Sequence, residues 1–227
     1  MDDRGSATAV VPENAIERLR TLCDAYATVS PPRSVAIVGN APVAPSAERA
    51  EAIDSCDLVV RVNGFALDRP REPHALGMRA DVVVFSRGVR ATPWFLRDYR
   101  DRLYLLVEPG RVHWEPETIP DWWPPDLGFL PVPNREIAMP LSEALGFDLR
   151  TEAHWATTGT MAAWLAHTLY PSAQLHLAGY SFIDRPDQTS WEHAVGEPCA
   201  ISAEHVLHRE SALLRGWADS GAAVVHP

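Results

Sequence analysis

Residues 34–63 read SVAIVGNAPVAPSAERAEAIDSCDLVVRVN. Two β-branched apolar runs, Ser34 to Val38 and Leu58 to Val62, enclose a helical segment at roughly 46 to 56. The runs are continuous rather than alternating, which is the pattern of strands buried on both faces of a parallel sheet. Five more runs of this kind follow: Asp81 to Phe85, Leu103 to Val107, Leu127 to Val132, Gln174 to Ala178 and Ala222 to Val225. Further helical segments fall at roughly 136 to 146, 159 to 170 and 203 to 219. An N-terminal helix over 13–29 is predicted from Ile16, Leu19, Leu22, Cys23 and Tyr26, and it stops before Pro31-Pro32. Strand and helix alternate throughout, so the expected architecture is α/β, a three-layer αβα sandwich with a mostly parallel sheet. The length of 227 residues suits one domain over 1–227.

Composition narrows the function. With 46% apolar and 22% charged residues the chain is globular. Its 30 acids against 20 bases give a formal charge of −10, which offers no basic footprint for nucleic acid. All 20 bases are Arg. Without Lys there is no Schiff-base chemistry, no P-loop lysine and no kinase β3 lysine. Arg in place of Lys, with abundant Ala, points to a GC-rich bacterial genome. No run of 18 apolar residues and no signal-peptide pattern is present, so the expectation is a cytoplasmic protein without a membrane partner. Cys23, Cys56 and Cys199 are odd in number and widely spaced, arguing against a disulfide framework or a zinc site. No His adjoins a Cys in sequence, so buried free thiols are expected rather than a nucleophile. The segment 109–140 carries eight prolines with Trp114, Trp122 and Trp123, and reads either as a proline-fixed surface insertion with structural Trp or as a substrate lid.

Ligands of open parallel sheets bind beyond the carboxyl ends of the strands. There the first run ends in Gly39-Asn40, where the glycine permits close backbone approach, and the second ends in Asn63. An amide both donates and accepts, which suits a nucleobase edge or ribose, although Asn taken alone is more often a turn former. Thr157-Thr158-Gly159 opens a helix, as an anion site or as an ordinary N-cap. No GxGxxG or GxxxxGK[ST] is present. Near the end of the chain, Ser202 as N-cap would set His205 in the first helical turn, where the dipole disfavours imidazolium and keeps the ring basic. Glu210 shares a stripe with Val206, Leu213, Leu214 and Trp217, so its carboxylate faces the core and needs a partner. His205 and His208 sit at one-turn spacing without a clear third ligand, and no metal is assigned.

These segments together resemble a family. Ile37-Val-Gly39-Asn40, Ile53-Asp54, Asp57 through Asn63, Gly77 and Asp81 resemble the large sialylmotif of eukaryotic-type sialyltransferases. Ala156-Thr-Thr158-Gly159 through Ala178-Gly179-Tyr180 resembles the small sialylmotif, and His205 with Glu210 the very small one. Trp191-Glu192-His193 is similar to a degenerate third motif. The resemblance implies a Rossmann-like fold of the GT-A-variant type and a metal-independent, inverting glycosyltransferase. It would need no cofactor and would take CMP or a CMP-activated sugar as co-substrate. It further implies that Gly39, Asn40, Asn63, Thr157, Thr158 and Gly159 hold CMP and that His205 is the catalytic base. His193 would assist at the phosphate, and Glu210 would be a structural support. Where that family carries a disulfide, this chain has Ser34 or Val35 and Tyr170. Two alternatives remain: a CMP-consuming hydrolase or biosynthetic enzyme on the same fold, and a non-catalytic nucleotide-binding module.

Overall fold

The computed structural model describes residues 14–112, 121–196 and 198–227. Residue 13 of the expected first helix and residues 113–120 of the Pro/Trp-rich segment, Trp114 included, lie outside the described residues.

Seven strands form one sheet: β1 (Ser34–Val38), β2 (Leu58–Val62), β3 (Val82–Phe85), β4 (Leu103–Leu106), β5 (Leu130–Pro131), β6 (Gln174–Ala178) and β9 (Ala223–His226), in the order β5-β4-β3-β2-β1-β6-β9. All neighbours pair parallel. A separate antiparallel pair, β7 (Ser190–Trp191) and β8 (Cys199–Ala200), sets Trp191 opposite Cys199. The helices are α1 (Ala15–Asp24), α2 (Ala47–Asp54), α3 (Pro93–Leu96), α4 (Ala138–Ala144), α5 (Thr158–Leu169), α6 (Ser181–Asp184) and α7 (Leu207–Asp219).

Both faces of the sheet are covered, which is why its strands read as unbroken apolar runs. On one face Val35, Ile37, Leu58, Val60, Leu175 and Leu177 meet α1, α4, α5 and α7 in the largest core cluster. On the other, Ala36, Val38 and Val59 pack with Ile53 of α2, and Val83, Phe85, Tyr104 and Leu106 with Phe65 and Phe95. The expected α/β sandwich is therefore present, with a second helical layer thinner than the first.

Some expectations change in detail. Helix α1 is shorter than 13–29: Asn14 caps it in a capping box with Glu17, and it ends at Asp24. The run Leu127 to Val132 yields only the two-residue β5, because its start is drawn to the aromatic cluster. There Trp123 stacks on Phe85 at 5.0 Å and its indole N–H donates to Leu127 O at 2.8 Å. Trp123 is thus structural. Helix α7 starts at Leu207, with Val206 as a cap that makes no side-chain bond, not at Ser202. One polar side chain in the core was not anticipated. Arg61 on β2 is fully buried, donates to Arg79 O and Leu76 O at 2.8 and 2.9 Å, and has its pKa lowered to about 10 by desolvation.

The strand order places the functional crevice. From β1 the sheet grows outward through β2 to β5, then β6 returns to the other side of β1. At that switch point the segments leaving β1 and β6 stay in contact, and a crevice for a ligand opens above them.

Candidate functional site

At the switch point two backbones pass almost in contact. A Cβ on Gly39 would lie 2.4 Å from Gly179 O, and Gly179 itself sits at φ +71°. Only glycine fits both conditions. Gly39 N–H donates to Ala178 O at 2.8 Å, and Ala41 N–H to Gly179 O at 3.1 Å. Above this crossing opens a cavity of about 520 Å³, lined by Gly39, Asn40, Asn63, Thr157, Thr158, Gly159, His193 and His205 among others. Eight of the nine expected site residues thus meet in one place. The ninth, Glu210, lies beneath it.

The two amides are held by opposite ends. Asn40 Nδ2 donates to Val62 O at 2.8 Å, which ties β1 to β2 and leaves its side-chain oxygen as the spare acceptor. Asn63 has φ +49°, a left-handed conformation that Asn tolerates better than most residues. Its Oδ1 accepts from Ser86 N–H at 3.0 Å, leaving Nδ2 as the spare donor. Asn63 is therefore both a turn former and a cavity residue, and the cavity offers one amide acceptor and one amide donor.

The start of α5 is built by buried polar contacts. Thr157 is the N-cap, and its Oγ1 accepts from Thr160 N–H at 3.2 Å. Its own N–H and hydroxyl both donate to Glu210 Oε2, at 2.9 and 2.7 Å. Glu210 is fully buried, as its stripe predicted, and Oε1 has no partner among the described residues. The carboxylate thus sits under the positive end of the α5 dipole. Thr158 and Gly159 N–H, the next two at the helix start, have no protein partner among the described residues and line the cavity. Tyr180 O–H donates to Gly159 O at 3.0 Å, and burial, then Glu210, raises its pKa, so it stays a neutral donor. A Cβ on Gly159 would approach Tyr180 Cε1 at 3.1 Å.

His205 lies outside helix α7, so the dipole argument made from Ser202 does not apply. A different device fixes its chemistry. His205 Nδ1 lies 3.1 Å from Trp155 O, and a carbonyl only accepts, so in the neutral ring the proton resides on Nδ1 and Nε2 carries the lone pair. Trp155 N–H donates to Glu204 O and His205 N–H to Ser202 O, which winds 202–206 against 155 instead of into the helix. His208 is exposed and does not join His205 as a chelating pair. Among the described residues, no three His, Cys, Asp or Glu side chains gather as a metal site.

His193 faces Cys199, with Nε2 3.6 Å from Sγ. Burial, then the nearby Arg90 guanidinium, hold its pKa below the usual imidazole value. At neutral pH it is thus an uncharged partner rather than a cation for phosphate. The cation among the described lining residues is Arg90, which the sequence reading missed, as it missed the lining role of Tyr180 and Cys199. Cys23 and Cys56 are the buried thiols that were expected, pushed up to about 12 and about 11 by burial. Cys199 is half-buried and lines the cavity. Arg90 carried no local signal, since it follows β3 in an irregular loop. Cys199 and His193 are six residues apart and meet only because β7 and β8 pair.

No protein-family model and no curated protein matches this sequence. Solved structures do. A mammalian sialyltransferase superposes with a TM-score of 0.54 at 16% identity, covering 86% of this chain and 68% of that one. A mammalian sialyltransferase in complex with Gal-beta-1-3GalNAc-ortho-nitrophenol gives 0.53 at 16% identity, covering 86% and 69%. At this identity the likeness establishes a sialyltransferase-like fold. Among the described residues, no helix is long and apolar enough to cross a membrane.

Proposed function

We propose that this chain is a glycosyltransferase that takes CMP or a CMP-activated sugar in the cavity between β1 and β6 and transfers the sugar to an acceptor hydroxyl with inversion. One observation carries this: His205, its proton held on Nδ1 by Trp155 O, lines the same cavity as the open helix start at Thr158 and Gly159. A base and an anion site on one ligand are what displacement of a nucleoside phosphate needs. The sialyltransferase-like fold supports the assignment.

In this mechanism the acceptor oxygen attacks the anomeric carbon from the face opposite CMP and gives its proton to His205 Nε2. The bond to the phosphate oxygen breaks as the new glycosidic bond forms. Charge developing on the departing CMP is received by Thr158 and Gly159 N–H with the α5 dipole behind them, and by Arg90. Glu210 acts at one remove, holding Thr157 so that those N–H groups point into the cavity. Asn40 and Asn63 read the nucleoside through their spare acceptor and donor.

The test is CMP release from a CMP-linked sugar, with and without a panel of hydroxyl acceptors, read by NMR for product stereochemistry. Acceptor-dependent release with inversion is expected, and His205→Ala should lower it by about 100-fold or more. Release that ignores every acceptor would make the chain a hydrolase of the same nucleotide. No release by any preparation would leave a binding module.

A further inference from the structure

From the hairpin wall of the cavity, we infer that Cys199 is a covalent modification site for low-molecular-weight disulfides, with His193 as its proton acceptor, and that modification closes the ligand cavity. Three observations converge. Cys199 Sγ lies 3.6 Å from His193 Nε2, and both line the cavity. His193 is held in its neutral form by burial and by Arg90, so one ring nitrogen carries a lone pair, and Nε2 is the nitrogen that faces the thiol. The other two thiols are buried, with pKa values raised to about 12 and about 11, and do not compete.

The step is thiol–disulfide exchange. The Cys199 S–H bond breaks as its proton passes to His193, and the sulfur attacks one sulfur of the disulfide. A new S–S bond joins Cys199 to half of the reagent. The other half leaves as a thiolate and takes the proton from His193, so no net oxidant is consumed beyond the disulfide itself. The adduct would occupy the cavity beside Trp191, whose ring centroid lies 6.4 Å from that of His205. Substituting the thiol thus places bulk next to the proposed base.

The experiment treats the folded full chain with a symmetric aromatic disulfide at pH 7 and follows intact mass and released thiol. One adduct is expected, mapped to Cys199, with none on Cys23 or Cys56 until the protein is denatured. His193→Gln should slow the reaction by about tenfold or more, the low end of what a positioned proton acceptor contributes. Cys199→Ser should take up no reagent. The adduct should abolish the thermal shift given by CMP, reductant should restore it, and reagent should leave the response of Cys199→Ser unaltered. An unchanged rate in His193→Gln, equal labelling of Cys23 or Cys56, or an adduct that binds CMP as before would overturn the inference. Blocking rests on the CMP assignment, whereas labelling does not. If CMP shifts no form of the protein, that assignment fails while the labelling pattern still decides the thiol site.

Discussion

Glu210 offers a measurement whose size follows from its contacts. Its Oε2 accepts from both the N–H and the hydroxyl of Thr157, and glutamate and threonine are 0% and 6% exposed. In Glu210→Ala the backbone N–H is stranded, at about 1–3 kcal/mol for a buried unsatisfied donor. The hydroxyl fares better, because Thr160 Oγ1 lies 3.1 Å away and can receive it. Opposing this, the variant no longer buries a carboxylate whose Oε1 lacks a partner. The balance is a loss of roughly 1–3 kcal/mol, set by the stranded N–H. Glu210→Gln keeps an acceptor oxygen but gives up the charge assistance of two hydrogen bonds, for a loss of roughly 1–2 kcal/mol. Urea unfolding followed by Trp fluorescence should rank wild type above Gln and Gln above Ala. A double-mutant cycle with Thr157→Val should return a coupling of roughly 1–3 kcal/mol. Coupling near zero, or an Ala variant within about 0.5 kcal/mol of wild type, would refute the claim that this carboxylate holds the α5 start.

Other expectations are as direct. Gly39→Ala forces a Cβ to within 2.4 Å of Gly179 O, a backbone atom that cannot swing away, so thermal unfolding should show a loss of roughly 1–3 kcal/mol; an unchanged midpoint would contradict the close crossing. Asn63→Gly should retain the left-handed turn while removing the amide, so CMP affinity should fall with little loss of stability, and calorimetry showing unchanged affinity would return Asn63 to a purely structural role. His176 Nδ1 and His226 Nε2 lie 3.0 Å apart on β6 and β9, with both pKa values lowered by burial and further by a neighbouring base, His226 for the former and Arg49 for the latter, while Glu48 opposes the shift at His226. A depressed folded pKa means that the unfolded chain binds more protons just below pH 6.5, so stability present above that pH should fall on acidification; denaturation curves of His176→Gln with His226→Gln should lose less between pH 7 and 5 than wild type. Identical pH slopes would remove that pair from the balance.

The sequence made the centre of the sheet legible because burial there is two-sided. Ser34–Val38, Leu58–Val62 and Gln174–Ala178 begin and end where their apolar runs do. Legibility falls off at the edge, where β5 shrinks to Leu130–Pro131 because Trp123 and Phe129 pull its start into an aromatic cluster. The candidate residues were found because they sit at strand and helix ends, where polar side chains stand out against apolar runs. Their partners were not, since Ser86 for Asn63, Trp155 for His205 and Cys199 for His193 are chosen by tertiary contacts. The start of α7 was misplaced for the same reason. Ser202 looks like an N-cap locally, but the bonds from Trp155 to Glu204 and from His205 to Trp155 hold that segment out of the helix.

The most direct test of the nucleotide assignment is calorimetric titration with CMP, UMP, cytidine and AMP. CMP should bind tightest. Cytidine should lose most of the affinity because nothing then engages Thr158 and Gly159 N–H, and UMP should lose part of it because its exocyclic group accepts where cytosine donates. Equal binding of all four, or none, would contradict a cytidine nucleotide site at the β1/β6 crossing.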